Sequence, residues 1–215
     1  MDLVGCDEAG RGPVIGPMVM CGVLIDEKDE QSLKKMGVKD SKLLSEKQRE
    51  DLFEKVKEAV KAYEIVILEP KDVDDALRDP NTNLNWLEAK ATAEILNKLK
   101  PEKAIIDCPS NNPKAYKEHL RGLLKSRMQL VVEHKADLNY PSVAAASILA
   151  KVTRDSAIKK LRETYGDFGS GYPADPSTKR FLEDNWDKYP EIFRKTWASY
   201  KKVVSRKNQK GLDTF

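Results

Sequence analysis

The amino-acid sequence predicts an α/β fold, in which a sheet is flanked by helices, for two reasons. Short runs of β-branched and other apolar residues alternate with longer segments whose apolar residues recur at helical spacing. In addition, 40% of the 215 residues are hydrophobic, which is enough to build a core of ordinary size. Charged residues make up another 34%, so the surface should be strongly ionic. Bulk disorder and a fibrous architecture are therefore excluded.

Five segments have the composition of β-strands, because each is rich in β-branched or apolar residues and is bounded by residues that break regular structure. The first two are close enough along the chain that we expect them to form a hairpin. The predicted strands cover residues 3–7, 14–25, 63–69, 104–107 and 128–134.

Capping residues and prolines mark the helices. Ser45 and Gln48 form a capping-box pattern, and Pro141 opens a long helix whose small residues 144–147 suit close packing on a sheet. Asp175 followed by Pro176 is typical of an N-cap and a first helical turn. The predicted helices cover residues 46–62, 84–100, 113–124, 141–165 and 176–186.

The chain is predicted to divide at a glycine-rich segment, residues 168–173. Residues 1–168 should form the main α/β domain, and residues 169–204 should form a small helical C-terminal lobe. Residues 205–215 are polar and have no apolar face, so a mobile tail is expected there.

The charges are unevenly distributed along the chain. The whole sequence has a formal net charge of +3, but residues 151–215 hold fifteen Lys and Arg against nine Asp and Glu. Such a basic C-terminal part indicates a polyanionic partner. A solvated helical surface would have the same composition, so charge alone does not decide between the two interpretations.

Cysteine content and hydropathy indicate the cellular compartment of the protein. Three cysteines without a C-x-x-C pair are unlike a disulfide framework or a zinc cluster, which favours a reducing compartment. The longest apolar run, residues 14–25, contains Gly16, Pro17 and Gly22 and is shorter than the ~20 residues of a membrane span. The first residues show no export signal. We therefore expect a cytoplasmic protein without a membrane segment.

Four acidic residues lie at or near the ends of three predicted strands. Asp7 and Glu8 precede Gly10-Arg11-Gly12, and we expect the backbone to turn there so that both carboxylates serve one site. Asp107 ends another strand, and Asp137 lies between the last strand and the long helix.

These four carboxylates, if they converge, indicate a metal-dependent nuclease. Each pair at ~4 Å would repel by about 4 kcal/mol at an effective dielectric constant of ~20, and divalent cations would relieve that repulsion. Oxygen ligands suit Mg²⁺ or Mn²⁺, and two such ions can stabilise the attacking and the leaving oxygen of a phosphoryl displacement. Each residue taken alone could instead be a solvated strand end or a helix cap.

Two nucleotide-binding motifs and a catalytic histidine pair are excluded. The G-x-G-x-x-G fingerprint needs a following helix, but the glycines after Glu8 run into a predicted strand. No Gly-Lys pair is followed by Ser or Thr, which excludes a Walker loop. His119 and His134 lie in different elements, so they cannot act as a catalytic pair. A proton-transfer role for His134, near Asp137, stays open.

Five blocks of the sequence resemble ribonuclease HII, the prokaryotic type 2 ribonuclease H, and archaeal members in particular. The blocks occur in the order of that family over nearly the whole chain, and the first is highly specific when combined with the alanine-rich one. They are Asp7-Glu8-Ala9-Gly10-Arg11-Gly12, Lys39-Asp40-Ser41-Lys42, Asp107, His134-Lys135-Ala136-Asp137 with residues 144–151, and Gly169-Ser170-Gly171-Tyr172-Pro173.

The resemblance implies an RNase H-like mixed sheet flanked by helices. Residues 1–168 would then be the catalytic domain, and residues 169–204 would bind substrate. The implied activity is hydrolysis of the RNA strand of RNA–DNA hybrids and incision of duplex DNA 5′ of embedded ribonucleotides, as in ribonucleotide excision repair. Cleavage would leave a 3′-hydroxyl and a 5′-phosphate. A monomer is expected.

The resemblance also assigns catalytic residues. Four carboxylates correspond to the family's metal ligands, which would hold two Mg²⁺ or Mn²⁺ ions. They are Asp7, Glu8, Asp107 and Asp137.

Substrate-binding residues follow from the same resemblance. The backbone of Gly10-Arg11-Gly12 would read the 2′-hydroxyl, the group that separates RNA from DNA, and glycine permits the close approach. Tyr172 would pack against the sugar at a ribo-to-deoxyribo junction. Lys42 and Lys151 would contact phosphates, which gives position and affinity rather than sequence choice.

The C-terminal peptide is similar to the clamp-binding motif Q-x-x-[aliphatic]-x-x-aromatic. Gln209, Leu212 and Phe215 have the required spacing, and the last two could anchor in an apolar pocket of a sliding clamp of the proliferating cell nuclear antigen type. The usual second aromatic residue is absent from this sequence. A sliding clamp is therefore an expected partner, beside the nucleic acid.

Two other functions agree with parts of the pattern. A non-catalytic hybrid-binding module would explain the basic C-terminal part but not the carboxylates. An RNase H-like DNA recombinase would use similar carboxylates for strand transfer. Its DNA substrate has no 2′-hydroxyl, so the recognition of that group implied for Gly10-Arg11-Gly12 and Tyr172 argues against this function.

Overall fold

A computed structural model describes residues 1–212, and within that range a mixed sheet of five strands is flanked by helices, as predicted. The strands are β1 (Asp2–Ala9), β2 (Met18–Asp26), β3 (Ala62–Leu68), β4 (Lys103–Asp107) and β5 (Gln129–Glu133). The helices are α1 (Glu30–Lys35), α2 (Glu46–Ala59), α3 (Pro70–Arg78), α4 (Leu84–Leu99), α5 (Pro113–Leu123), α6 (Ala136–Asn139), α7 (Pro141–Tyr165), α8 (Pro176–Asn185) and α9 (Ala198–Leu212).

The sheet has the strand order β3-β2-β1-β4-β5. β1 and β2 pair antiparallel from Asp2 opposite Asp26 to Ala9 opposite Val19, which confirms the predicted pairing of the first two strands. β4 is parallel to both β1 and β5. The carboxyl ends of these three strands therefore lie at one edge of the sheet.

The chain forms two compact units that are not contiguous in sequence. The sheet unit consists of Met1–Ala9, Val19–Ile67 and Leu84–Arg154, and the C-terminal unit consists of Gly10–Met18, Leu68–Asn83 and the residues from Asp155 onward. The segments predicted from sequence, 1–168, 169–204 and 205–215, follow chain order, because a sequence pattern does not reveal which distant residues share a core. The assignment of catalysis to residues 1–168, of substrate binding to residues 169–204 and of clamp binding to residues 205–215 stays a prediction.

The core of the sheet unit depends on close packing of α7 against β1. A Cβ atom added at Gly5 would lie 2.3 Å from the carbonyl carbon of Ser142 and 2.4 Å from the backbone nitrogen of Val143. The small residues 144–146 of α7 are buried as well. The predicted close approach of this helix to the sheet is confirmed, and a glycine on the strand makes it possible.

The core of the C-terminal unit explains why one predicted strand is wrong at its start. Val14 and Ile15 are fully buried there, and their segment runs beside residues 192–194, with Arg194 N–H donating to the Val14 carbonyl at 2.8 Å. β2 begins only at Met18, because Gly16 has a φ of +82° and Pro17 has no backbone N–H.

Two predicted helix starts are confirmed by their caps. Gln48 N–H donates to Ser45 Oγ at 3.2 Å and Ser45 N–H donates to Gln48 Oε1 at 2.9 Å, which is a reciprocal capping box. Asp175 accepts a hydrogen bond from Ser177 N–H at 2.9 Å and caps α8.

The helical content exceeds the prediction at four places, namely α1, α3, α6 and α9. α9 continues to Leu212, so residues 205–212 are helical, although the sequence analysis placed no helix there. The mobility expected of residues 205–215 stays a prediction. Tyr200 and Val203 are buried and anchor the helix. Lys, Arg and Gln have high helix propensity, and extending an existing helix costs far less than starting one.

Two further features of residues 1–212 are the hydropathy of the helices and the burial of the cysteines. No helix in that range combines the length and the apolar character that a bilayer crossing requires. Cys6, Cys21 and Cys108 are free and buried.

Candidate active site

The register of the parallel strands brings Asp7 and Asp107 side by side. Cys6 of β1 pairs with Ile106 of β4, and each aspartate is the next residue of its strand. Adjacent strands lie ~4.8 Å apart, so side chains at the same height and on the same face are neighbours. The charge of Asp107 is accordingly one of the causes that raise the pKa of Asp7.

Asp7 and Glu8 lie within a regular strand, opposite Cys21 and Met20. The turn expected at this dipeptide is therefore wrong, and the backbone leaves the strand only at Gly10, whose φ is +84°. Side chains alternate in a strand, so these two carboxylates point to opposite faces. They remain coupled, because Glu8 N–H donates to Asp7 Oδ1 at 2.7 Å and the charge of Glu8 raises the pKa of Asp7.

Asp7 is buried and hydrogen-bonds to Ser147 of α7, which the sequence prediction did not assign to the site. Burial, followed by the charge of Glu8, raises the pKa of Asp7 well above its usual value, while a hydrogen bond with Ser147 of α7 lowers it. Ser147 Oγ lies 3.0 Å from Ser41 Oγ. The only sequence signal for Ser147 is a small polar residue within the alanine-rich start of α7.

The end of β4 is tied to α6, which carries the last predicted carboxylate. Asp107 Oδ1 accepts a hydrogen bond from Ala136 N–H at 3.0 Å. The neighbouring Asp137 is 7% exposed. Burial, then the charges of Asp107 and Asp40, raise the pKa of Asp137, and Lys42 lowers it. Asp137 therefore lies within electrostatic reach of Asp107.

Asp7, Asp107 and Asp137 form one electrostatic cluster in the sheet unit, and Glu8, on the other face of β1, is coupled to this cluster through Asp7. Within residues 1–212, no three acidic, histidine or cysteine side chains lie close enough together to hold a metal ion. The chemistry of the donor set, rather than its spacing, suits a hard divalent cation. Its donor atoms are all carboxyl oxygens, and a cation would relieve the repulsion that adds to burial in raising the pKa values of Asp7 and Asp137.

The two lysines predicted to contact phosphates both belong to the sheet unit. Lys42 is close enough to Asp137 to lower its pKa. Lys151 is half-buried on α7, four residues after Ser147 and therefore on the same helix face.

His134 Nδ1 lies 3.1 Å from the carbonyl oxygen of Cys108. This contact does not test a role of His134 in proton transfer.

The predicted hydroxyl-reading loop and Tyr172 belong together in the C-terminal unit. A Cβ atom at Gly12 would lie 3.2 Å from Cε1 of Tyr172, so the ring lies directly against this glycine. Tyr172 is 44% exposed, and part of its ring therefore faces solvent beside the loop.

The predicted clamp-binding peptide is described only in part. Gln209 lies on α9. The side chain of Leu212 and the whole of Phe215 lie outside the described residues.

Comparison with known proteins identifies the family. Residues 4–200 match the family model for Ribonuclease HII. The Ribonuclease HII of Pyrococcus horikoshii is 45% identical over 222 residues, an alignment that covers 100% of this chain and 99% of the relative. The chain belongs to the ribonuclease HII family.

Solved structures agree with membership of the ribonuclease HII family. The crystal structure of the ribonuclease H2 from Pyrococcus horikoshii OT3 is similar with a TM-score of 0.88 and 44% identity, covering 96% of this chain and 98% of that one. The structure of the PCNA:RNase HII complex from Archaeoglobus fulgidus is similar with a TM-score of 0.83 and 41% identity, covering 92% and 95%.

Membership confirms the resemblance found in the sequence. The protein is a hydrolase of the ribonuclease H type, an endonuclease for the RNA strand of RNA–DNA hybrids that depends on divalent metal ions.

Proposed function

We propose that the protein also incises duplex DNA on the 5′ side of embedded ribonucleotides and leaves 3′-hydroxyl and 5′-phosphate ends. The observation that carries this proposal is the cluster at one edge of the sheet, where Asp7 and Asp107 lie side by side on parallel strands. Burial, followed by the charges of neighbouring carboxylates, raises the pKa values of Asp7 and Asp137 there. The proposed catalytic carboxylates are Asp7, Glu8, Asp107 and Asp137.

Two divalent cations, Mg²⁺ or Mn²⁺, would be held by the oxygens of these four side chains. When bound, they supply stabilisation of the charge on the attacking and the leaving oxygen. The chain itself keeps the carboxylates oriented. Glu8 N–H and Ser147 donate to Asp7, and Ala136 N–H donates to Asp107. Burial raises the pKa of Asp7, and the hydrogen bonds from Ser147 and Glu8 N–H partly offset that effect.

The ribose would be recognised by Gly10-Arg11-Gly12, which follows β1 directly in the chain. Main-chain N–H and C=O groups can bond to a 2′-hydroxyl, whereas a deoxyribose offers no partner at that carbon. Tyr172, whose ring lies against Gly12, would pack on the next sugar, where a 2′-hydroxyl would obstruct it. This arrangement supports selection of a ribo-to-deoxyribo junction.

Lys42 and Lys151 are the proposed phosphate contacts. Both lie in the sheet unit that carries the carboxylates, and the effect of Lys42 on the pKa of Asp137 supports its proximity to the cluster. Contacts of this type position the strand and add affinity.

The experiment that tests the proposal is incision of a duplex DNA containing one ribonucleotide, with the cut position mapped. Wild type should cut 5′ of the ribonucleotide only when Mg²⁺ or Mn²⁺ is added. Asp107→Asn keeps an oxygen that can accept from Ala136 N–H but loses the charge, so it should bind the duplex normally and cut at least ~10³-fold more slowly. Asp51→Asn, at an exposed position on α2, is the matched control and should cut like wild type.

Three outcomes would contradict the proposal. Undiminished turnover by Asp107→Asn would remove Asp107 from the mechanism. Salt-dependent binding without any product would favour the hybrid-binding module instead. Incision of an all-DNA duplex would favour the recombinase.

We further propose a sliding clamp as a partner, bound through Gln209, Leu212 and Phe215. The spacing of these residues supports it, as does the complex of a related RNase HII from Archaeoglobus fulgidus with PCNA. Deleting residues 209–215 should abolish clamp binding and leave turnover on a free duplex unchanged, whereas Thr214→Ala should bind normally. Equal clamp affinity after the deletion would contradict the proposal.

The cytoplasmic location and the monomeric state of the protein stay predictions.

A further inference from the structure

Arg194 is a fully buried arginine of the C-terminal unit that bonds to the main chain of a distant segment. Its Nε donates to the Gly16 carbonyl at 3.0 Å. Its two terminal nitrogens donate to the Arg11 carbonyl at 3.0 Å and the Gly10 carbonyl at 2.7 Å. A guanidinium is planar and carries five N–H donors, which allows one side chain to serve three acceptors that lie in different directions.

Trp197 holds the next carbonyl of the same loop. Its Nε1–H donates to the Gly12 carbonyl at 3.1 Å, and its ring centre lies 4.9 Å from the guanidinium carbon of Arg194. This distance allows a cation–π contact between the two side chains. Two adjacent side chains therefore bind three successive carbonyls, those of Gly10, Arg11 and Gly12.

Binding these carbonyls fixes the direction of the neighbouring N–H groups. In a planar trans peptide the N–H of a residue points opposite to the C=O of the residue before it, and no peptide bond in residues 1–212 is cis. The carbonyls of Gly10 and Arg11 point toward Arg194, so the N–H groups of Arg11 and Gly12 point away from it. The residue after Gly12 is Pro13, which has no N–H. The loop thus presents two consecutive donors in a fixed direction.

Asp74 of α3 holds the backbone that carries both side chains. It is 3% exposed, and Oδ2 accepts from Lys195 N–H at 2.8 Å. Oδ1 accepts from Thr196 N–H at 2.9 Å and from Thr196 Oγ1 at 2.7 Å. Lys195 and Thr196 lie between Arg194 and Trp197 in sequence. Asp74 therefore limits the movement of both side chains.

We propose that Arg194 and Trp197 are positioning residues for ribose discrimination. By binding the carbonyls of the loop, they aim the N–H groups of Arg11 and Gly12 at the oxygen of the 2′-hydroxyl, which accepts both hydrogen bonds. This inference rests on the proposed function of the loop as the reader of that hydroxyl. A deoxyribose has no acceptor at this position, so an aimed donor pair favours ribose only.

The test compares wild type with Arg194→Lys. Lysine keeps the charge, but its single ammonium cannot reach carbonyls in three directions. For a duplex with one ribonucleotide, kcat/KM should fall at least about tenfold, the effect of losing a well-aimed hydrogen bond. The Kd for an all-DNA duplex should stay within about twofold, because phosphate contacts dominate it. Arg206→Lys, the same change in an exposed residue paired with Glu183, should alter neither value.

Two further variants keep the test informative if Arg194→Lys folds poorly. Trp197→Phe keeps a ring beside Arg194 but removes the donor to the Gly12 carbonyl. Asp74→Asn loses the acceptor for Lys195 N–H. Both should lower kcat/KM for the ribonucleotide substrate without changing the Kd for the all-DNA duplex.

A measurement without substrate separates this inference from the proposed function. Amide hydrogen exchange in the free protein should be at least about tenfold faster at Arg11 and Gly12 in Arg194→Lys than in wild type. If wild type does not cut the ribonucleotide substrate, the proposed function fails and the exchange rates alone decide the positioning role. If wild type cuts and Arg194→Lys shows equal kcat/KM and equal exchange, the positioning role is overturned while the function stands. The positioning role would also be overturned if Arg194→Lys lost kcat/KM and all-DNA affinity to the same extent, and if both losses matched the fraction of unfolded protein.

Discussion

At the scale of single residues, Asp175 organises the segment that carries Tyr172. Its carboxylate accepts hydrogen bonds from Ser170 N–H at 2.7 Å and from Ser177 N–H at 2.9 Å. The bonds from Ser170, followed by that from Ser177, lower the pKa of Asp175 from 3.8 to about 2. One side chain thus caps α8 and fixes the glycine-rich loop before it.

The low pKa of Asp175 predicts a pH-dependent stability. A carboxyl group whose pKa is lower in the folded state stabilises the fold when it is ionised. The contribution of Asp175 is complete above its unfolded pKa of 3.8 and is lost as the pH falls through about 2. Asp175→Asn should therefore lower the Tm at about pH 6, and the difference from wild type should shrink between about pH 4 and pH 2. Thermal unfolding across this range measures it, with Asp51→Asn as an exposed control. A difference that stays constant with pH would contradict the prediction.

The residue scale also shows which parts of the site can be predicted from sequence. The candidate carboxylates Asp7, Glu8 and Asp107 can be predicted, because they lie at or near the ends of predicted strands. Asp137 can be predicted because it lies between the last strand and the long helix. Arg194 and Ser147 cannot, since their partners lie far away along the chain and nothing local distinguishes a buried arginine from a solvated one.

At the scale of elements, the contact between β1 and α7 determines how the sheet unit packs. The absence of a side chain at Gly5 lets the backbone of Ser142 and Val143 approach the strand. α7 also supplies Ser147, which hydrogen-bonds to Asp7 on the same strand. Packing of this helix and orientation of the carboxylate therefore depend on one another.

Gly5→Ala should destabilise the protein by about 2 to 3 kcal/mol, because the new Cβ would overlap backbone atoms that cannot move independently. The control is Gly122→Ala on α5, where nothing lies within 4 Å of the new Cβ. That change should be neutral or stabilise by about 0.5 to 1 kcal/mol, since alanine favours helix more than glycine does. Denaturant unfolding measures both free energies, and equal effects of the two variants would contradict the prediction.

Elements with strong local signals are predicted well from sequence, and those that depend on tertiary contacts are not. The capping box at Ser45 and the Asp175 cap identify α2 and α8 correctly. The start of β2 is predicted too early, because the apolar residues Val14 and Ile15 serve the core of the C-terminal unit. Apolar character alone does not reveal which core a residue joins.

At the scale of the whole molecule, positive charge and hydroxyl recognition have separate roles. Residues 151–215 hold fifteen basic against nine acidic residues, although the net charge of the chain is only +3. Charges of this kind attract any nucleic-acid backbone and release counterions on binding. A hydrogen bond to a 2′-hydroxyl releases none, so it should contribute selectivity without contributing salt dependence.

Binding of the inactive Asp107→Asn variant to two duplexes, one all-DNA and one with a single ribonucleotide, should separate these roles. Raising NaCl from ~50 to ~200 mM should weaken both complexes by on the order of tenfold to a hundredfold, while the ratio of the two Kd values stays within about twofold. Adding Lys151→Gln should reduce the slope of log K against log salt by about 0.9 for each duplex, because one phosphate contact is lost, and Lys47→Gln on α2 should not change it. Salt-independent binding, or a Kd ratio that falls with salt, would show that ribose selection and phosphate binding use the same charges.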